Sequence, residues 1–380
     1  MSALISLDRL SLLISTHPAT FAAIALSILF LLRKLFDAHT RKSFEKLYGC
    51  EKAPDESDRF KYDILGISKA IEFASHLKDQ TILSYTDSLF QRYGETYTSN
   101  ILSQPFVLTC NAKNIKHLLS TGFKDFDISA LRKHLFDPIT PHGIFTVDGP
   151  DWKTNREGLR GRLSNLRQLI DFEFLEEQFQ MYLKHVPPHG EKFDVQACNF
   201  ALFTDLQTFF SLGESSNSLS STQTVAQRQF VDDLSTIKDC IVRDGFRGPL
   251  HHFSSKKEFF RACERAKDYV IERTTQQVRK RRNAVMKIGT EDSFEGTESE
   301  EIAVSTDQAL SILIANDTMG TTLSAIFFCL SHNGHVTEKL RASIIETIGM
   351  EPPTWTQLGS LVYVRWVICE GKSTALRTSL

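Results

Sequence analysis

The longest helical pattern of apolar positions in the chain runs from Thr306 to Ser331. Thr306 and Asp307 stand at its front, where a polar side chain can cap the first turn of a helix. Apolar residues then recur at helical spacing. They are Ala309, Leu310, Leu313, Ile314, Leu323, Ile326, Phe327 and Leu330. The pattern predicts one long buried helix at the centre of the fold.

Asp317 and Thr318 interrupt this apolar pattern. A carboxylate removed from water is unfavourable unless it is paired or protonated. Gly320, Thr321 and Thr322 weaken the same region, because glycine costs about 1 kcal/mol relative to alanine within a helix. A loosened helix with an acid and an alcohol lets a ligand or water enter the backbone. Two alternatives remain open, a core helix in which Asp317 meets an Arg or Lys, and a transmembrane span, which the acid disfavours.

An apolar run near the N-terminus, Phe21 to Leu32, is broken only by Ser27. Extended through Phe36, it reaches the length that crosses a bilayer. We therefore expect a membrane anchor in residues 1–40, with the span at about 19–36. Basic residues follow the run and favour a cytosolic location for the rest of the chain. An amphipathic docking helix and a cleaved signal are the alternatives.

A charged, proline-containing linker is expected in residues 41–62, and a largely helical domain in residues 63–380. Thr96–Leu102 and Phe106–Thr109, separated by Ser103-Gln104-Pro105, predict a β-hairpin. Asn111 is placed to cap a short helix behind it. The fold class is therefore mainly α with a small sheet.

The second half of the domain is also helical by pattern. Phe259–Arg282 and Val336–Gly349 each predict an amphipathic helix. Residues 287–303 are acidic and predict a flexible connector between the first of these and the central helix.

Two side chains that donate hydrogen bonds fall four residues apart after a turn at Gly149. Asp151 is placed to cap a helix that begins near Trp152, and on that helix Trp152 and Arg156 share one face. An indole N–H and a guanidinium together can hold an anionic group. A stacked Trp–Arg surface pair is the alternative.

Composition narrows the classes of partner. The formal net charge of −2 gives no reason to expect nucleic acid. The seven cysteines show no metal-ligand spacing, so reduced thiols are expected. The 28 phenylalanines suit an apolar cavity.

Several segments, taken together, resemble the cytochrome P-450 superfamily, and within it the fungal membrane-bound alkane and fatty-acid hydroxylases. They are LYGC, KNIKHLLSTGFKDFDI, GIFTVDGPDWKTNR and KFDVQACNF, in the order that the family shows. The resemblance covers roughly residues 40 to 370. It implies a cytochrome P-450-like helical fold and haem b as cofactor.

The family signature A/G-G-x-D/E-T-T corresponds here to the run from Ile314 to Met319. The resemblance implies that Asp317 and Thr318 are catalytic and relay protons during dioxygen activation. Similarly, Trp152 and Arg156 match the positions that bind a haem propionate.

The family also pairs a Glu and an Arg three residues apart. Here Glu370 is in place and the next Arg is Arg377, seven residues on instead of three, so the resemblance implies Glu370 and Arg377 as the structural pair. A foreign insertion of Gly371 to Thr374 would account for the offset. The family's haem-ligating cysteine loop is not found, so we expect a domain that is incomplete at its C-terminus, with no metal ligand in this chain.

Three functions remain open at this point. The resemblance implies a haem-thiolate monooxygenase of the endoplasmic reticulum membrane that hydroxylates an alkane or fatty acid with electrons from an NADPH–cytochrome reductase flavoprotein. A truncated, non-catalytic membrane-anchored protein is the second. A helical lipid-binding protein is the third.

Overall fold

The computed structural model describes residues 18–50, 53–56, 63, 65–164, 171–288 and 297–378. Most of these residues are helical. The helices are α1 (Pro18–Tyr48), α2 (Ile67–Lys78), α3 (Ile82–Tyr93), α4 (Ala112–Lys116), α5 (Ala130–Phe136), α6 (Gly149–Ser164), α7 (Phe172–Lys184), α8 (Val195–Leu212), α9 (Val225–Arg247), α10 (Lys257–Ile288), α11 (Glu298–Ile314), α12 (Asp317–His332), α13 (Gly334–Ile348), α14 (Trp355–Ser360) and α15 (Val362–Thr378). The predicted mainly-α fold class is confirmed.

The predicted hairpin is confirmed as β1 (Thr96–Ile101) and β2 (Gln104–Thr109), which pair antiparallel. Its turn differs from the prediction. Leu102 and Ser103 form it with φ of 50° and 63°, the left-handed region that two-residue hairpin turns use. Gln104 and the proline after it pair within β2, because a proline is tolerated in an edge strand.

A small apolar cluster joins the hairpin to α2 and α3. Tyr97 of β1 is fully buried beside Ile82, Tyr85 and Leu89 of α3. Behind the hairpin, Asn111 caps α4 as predicted, accepting backbone N–H bonds from the second and third residues that follow it.

The main core lies where α9, α10 and α11 pack together. On α9 the buried residues Phe230, Leu234, Ile237 and Ile241 recur at helical spacing. Leu310 and Leu313 of α11 close this core and are fully buried. The central helical pattern of the sequence therefore serves as one wall of the core.

The central helix is longer at its front than predicted and is divided in two. Thr297, not Thr306, caps α11, in a capping box with Glu300. Thr306 and Asp307 lie more than two turns inside α11, and both are buried. The predicted cap is therefore wrong, because the acidic residues after Thr297 extend the helix into the expected connector.

Two other helix boundaries also differ from the prediction. Helix α6 begins at Gly149, so Asp151 lies in its first turn and does not cap it. Helix α10 continues to Ile288, beyond the predicted end at Arg282. Of the expected connector 287–303, residues 289–296 lie outside the described residues, and the last six belong to α11.

Helix α1 contains the whole of the expected membrane span, and its side chains are described from Ile28 onward. Its described apolar side chains are exposed, among them Leu29 (67%), Phe30 (60%) and Phe36 (71%). Residues 1–17 and most of the linker predicted after Cys50 lie outside the described residues. The anchor and the domain limits stay predictions.

Among the described residues, one helical stretch is long and apolar enough to cross a membrane by length and composition, Glu298–His332. It comprises α11 and α12. These helices pack against α8, α10 and α15, so we treat the stretch as a core element.

Candidate functional site

The central helix changes its hydrogen bonding immediately before the predicted acid–alcohol pair. Ala315 donates its N–H to the carbonyls of Ile312 (3.1 Å) and Ser311 (3.3 Å), and Met319 donates to Asn316 (3.1 Å). The bonds to Ile312 and Asn316 span three residues instead of four, so the helix tightens across Ala315–Asn316. Sequence reasoning placed the weakness at Asp317 to Thr322. The break lies directly before Asp317, which begins α12.

Asp317 is paired with a lysine from another helix. Its Oδ1 lies 2.6 Å from Nζ of Lys238 on α9. The same ammonium donates to Oδ1 of Asn316 at 3.2 Å. Asn316 is buried and donates in turn to Oγ1 of Thr204 at 3.0 Å. The structure therefore contains the alternative in which Asp317 pairs with an Arg or Lys, here Lys238.

Asp317 is not buried, contrary to the expectation from the apolar helix. Its side chain is 49% exposed and that of Lys238 is 20% exposed. Both line an open cleft of about 490 Å³ between α8, α9 and the helix break. Arg228, Asp232 and Asp239 add further charge to its wall. A cleft with this lining suits water better than an aliphatic molecule.

Thr318 lies on the exposed side of the start of α12. Its Oγ1 donates to the carbonyl oxygen of Ala315 at 2.6 Å, which satisfies one of the carbonyls freed by the break. The hydroxyl oxygen keeps its lone pairs for an incoming donor. Thr318 therefore combines a fixed orientation with access from outside the fold.

Trp152 and Arg156 lie together on α6, as their spacing predicts. The guanidinium carbon of Arg156 is 5.3 Å from the centre of the Trp152 ring, and that ring contacts Phe123 at 5.1 Å between centroids. Trp152 is half-buried and Arg156 is exposed. Among the described side chains no carboxylate pairs with Arg156, so its donors are available to an anionic ligand.

A single backbone carbonyl ties α6 to the central helix. The oxygen of His142 accepts Nδ2 of Asn155 from α6 at 2.7 Å and Nε2 of Gln308 from α11 at 3.1 Å. The N–H of His142 donates to Oδ2 of Asp307 at 2.7 Å. The helix that carries Trp152 is thereby held against the helix that precedes Asp317.

Burial raises the pKa of Asp307, which is only 5% exposed. The N–H of His142 and the charge of Lys267 oppose this shift, since both favour the carboxylate.

Gly143, the residue directly after His142, lies close to α11. A Cβ there would meet Oγ of Ser311 at 2.4 Å, so the loop approaches α11 at a distance that only glycine permits.

The chemistry of two side chains fits the haem b that the resemblance implies. Trp152 is half-buried and Arg156 is exposed, and their N–H donors match a propionate carboxylate. The cysteines fit less well. All seven are free thiols, burial raises the pKa of Cys263 to about 12, and burial also raises the pKa of Cys198, so these two are poor thiolate ligands.

The predicted structural pair of Glu370 and Arg377 falls within α15, and Glu370 is exposed. The side chain of Arg377 lies outside what the structure describes, so this pair stays a prediction. Gly371, at the start of the suspected insertion, packs against α12. A Cβ on Gly371 would meet Cγ1 of Ile326 at 2.3 Å.

Sequence reasoning missed Lys238, Asn316 and the junction at His142. Lys238 follows the buried Leu234 by four residues and Ile237 by one, so it lies at the edge of the buried stripe of α9. A basic residue at the edge of a buried face was the sequence signal for this ion pair. The aliphatic part of a lysine side chain can lie along apolar surface while its ammonium reaches an acid on the next helix. The partners of His142 on α11, Asp307 and Gln308, are more than 100 residues away in the chain, and no local pattern indicates them.

Comparison with known proteins gives a consistent result. The family model of cytochrome P-450 matches residues 67–371. The chain is 27% identical over 354 residues to cytochrome P-450 monooxygenase fsdH of Fusarium heterosporum, covering 87% of this chain and 60% of that protein. It is 29% identical over 357 residues to cytochrome P-450 52A12 of Debaryomyces hansenii, covering 86% and 66%. It is also 29% identical over 332 residues to cytochrome P-450 52A1 of Candida tropicalis, covering 79% and 58%. The chain thus spans about three fifths of the length of these relatives.

Proposed function

Since the chain belongs to the cytochrome P-450 family, we propose that it supplies the dioxygen-facing helix and the propionate-binding helix of a haem-thiolate monooxygenase that hydroxylates an aliphatic, lipid-like substrate. Haem b, the cofactor that the family implies, supplies the redox chemistry when bound. In balance, one C–H bond, dioxygen, two electrons and two protons give an alcohol and one water. We propose an NADPH–cytochrome reductase flavoprotein as the source of the electrons.

The observation that carries this proposal is the helix break directly before Asp317 and Thr318. The half-exposed carboxylate of Asp317 faces the charged cleft and can take protons from its water. Lys238 holds this carboxylate in place until it accepts a proton. The hydroxyl of Thr318, oriented by the Ala315 carbonyl, would position a water for this relay.

Trp152 and Arg156 orient the cofactor in this proposal. The stacked guanidinium and indole present N–H donors to one carboxylate, and a charge-assisted bond of this kind is stronger than one between neutral groups. The junction at His142 then fixes the distance between this contact and the central helix.

We also propose that α1 anchors the protein in the endoplasmic reticulum membrane. The exposed apolar side chains of α1, including Leu29, Phe30 and Phe36, support this. Resistance of the expressed protein to alkaline extraction from microsomes tests it, and release into the soluble fraction would refute it.

The cofactor contact is tested by the absorbance spectrum of the reduced, carbon-monoxide-bound protein. Arg156→Ala should lower haem content, whereas Arg160→Ala, an exposed arginine one turn further on α6, should not. Equal haem content in the two variants would refute the role of Arg156. Absence of a thiolate-type spectrum in the parent protein would refute the monooxygenase.

The proton relay is tested by the ratio of product formed to NADPH consumed. Thr318→Ala should lower this ratio because water is no longer positioned. Thr322→Ala is the matched control, since its hydroxyl also donates to a helix carbonyl, that of Thr318, at 2.6 Å. An unchanged ratio in Thr318→Ala would remove Thr318 from the mechanism.

A further inference from the structure

The side chains of three histidines come together at a position that the proposed function does not use. His134 lies on α5, and His251 and His252 lie on the short 3₁₀ helix Gly248–Phe253 that joins α9 to α10. One ring nitrogen from each residue lies within 4.8 Å of the other two. The ring centroids of His251 and His252 are 3.9 Å apart, and that of His134 lies 4.9 Å from His251.

The middle histidine is buried and has one free nitrogen. His251 is 4% exposed, and its Nδ1 lies 2.7 Å from the carbonyl oxygen of Gly248. A carbonyl only accepts, so the ring proton sits on Nδ1 and Nε2 carries a lone pair. Nε2 is buried without a hydrogen-bond partner among the described residues. A buried acceptor in this state is unfavourable unless something binds it.

We propose that His134, His251 and His252 form a binding site for a divalent transition-metal ion, with zinc(II) as the best-fitting ion. Neutral imidazole is a preferred ligand of this ion, and three protein nitrogens with one open position are a common zinc arrangement. The bond from Nδ1 of His251 to the Gly248 carbonyl is the supporting contact that metal-binding histidines usually make.

The spacing requires a small adjustment. Zinc–nitrogen bonds of about 2.0–2.1 Å at tetrahedral angles place ligand nitrogens about 3.4 Å apart. The separations here reach up to 4.8 Å. His134 and His252 are both exposed, so rotation of their rings can close this gap while the buried ring of His251 stays fixed.

Nearby charges oppose the binding of a cation, and substitution of one of them gives a second test of the site. Lys256 is close enough to lower the pKa of His134 beyond the effect of burial, and Asp137 opposes that shift. The same ammonium repels a divalent cation. The carboxylate of Asp244, 4.0 Å from Lys256, is shared with Arg243 and Arg247 and offsets this repulsion only in part.

The test is a zinc titration of the tag-free full chain in detergent, in competition with a chromophoric chelator. The parent protein should bind one equivalent of zinc. His134→Gln or His252→Gln should weaken the affinity for zinc at least by the roughly 10- to 100-fold that loss of a supporting contact causes. Lys256→Gln should tighten binding. His335→Gln, an exposed histidine on α13, should bind as the parent does.

Cobalt(II) distinguishes this site from the free cysteines. Bound by nitrogen alone, it should give visible bands without the intense thiolate-to-cobalt absorption in the near ultraviolet. Parent-like zinc affinity in both His134→Gln and His252→Gln, or a thiolate band in the parent, would overturn the proposal. His134 and His252 are exposed, so these variants should fold, and circular dichroism checks that they do.

Discussion

The ion pair between Lys238 and Asp317 allows a quantitative test of how the central helix is held. We consider Lys238→Met, which keeps most of the aliphatic stem and removes the ammonium. An ion pair with this exposure contributes about 0.2–1 kcal/mol. The bond from Nζ to the buried Asn316 adds about 1 kcal/mol. The free energy of unfolding should therefore fall by about 1–2 kcal/mol.

A double-mutant cycle separates the two contributions. Asp317→Asn removes the charge alone, so the coupling between Lys238→Met and Asp317→Asn should be about 0.5–1 kcal/mol. The assay is urea unfolding followed by tryptophan fluorescence at low and high salt. The coupling should shrink at high salt, because both groups are partly exposed and therefore screened.

The chain contains a matched control for this cycle. Lys153 and Glu157 form a pair at 4.0 Å on α6, with side chains 74% and 67% exposed. The same cycle on this pair should give a coupling close to zero. A coupling between Lys238 and Asp317 that is no larger than this control would refute the view that the lysine holds the carboxylate in place.

Further predictions concern packing and a buried acid. Gly320→Ala should lower the free energy of unfolding by about 1–3 kcal/mol, because its Cβ would meet Cδ1 of Phe200 at 2.1 Å. Gly158→Ala, in a helix with nothing within 4 Å of the new Cβ, should raise the free energy of unfolding by up to about 1 kcal/mol. Equal effects of the two substitutions on the urea unfolding midpoint would contradict the close packing of Gly320 against Phe200. Burial raises the pKa of Asp307, so the folded state binds its proton more tightly and stability should fall as pH rises from the ordinary value of 3.8 through the folded pKa. Asp307→Asn cannot titrate and should gain stability relative to the parent over that range, in urea unfolding measured from acid to neutral pH. Asp307→Ala should lose about 1–3 kcal/mol, because the N–H of His142 loses its acceptor, and identical pH profiles for all three proteins would refute the assignment.

The sequence was most informative where local patterns decide the structure. The hairpin, the cap at Asn111 and the pairing of Trp152 with Arg156 follow from spacing and turn chemistry within a few residues. The front of the central helix was predicted incorrectly because Thr306 and Thr297 are both acceptable caps. Only Thr297 has a Glu three residues later to complete the capping box.

Long-range partners could not be predicted in the same way. The sequence indicated that Asp317 needed a partner or a ligand, and it left both possibilities open. Lys238 lies 79 residues earlier, and only the packing of α9 beside α11 brings it to 2.6 Å from Asp317. The histidine site has the same character, since His134 of α5 meets the segment after α9 only through tertiary packing.

Because of the tightened turn at Ala315–Asn316, the rotation of α12 about its helix axis is not fixed by the rotation of α11 about its own. Helix α11 directs its apolar stripe towards α10, and α12 fits Gly320 to α8 and Ile326 to α15. Deleting one residue at the turn would rotate all of α12 by about 100° about its axis. Both of those close fits would then be lost together, so the number of residues in this turn is constrained as strictly as their identity.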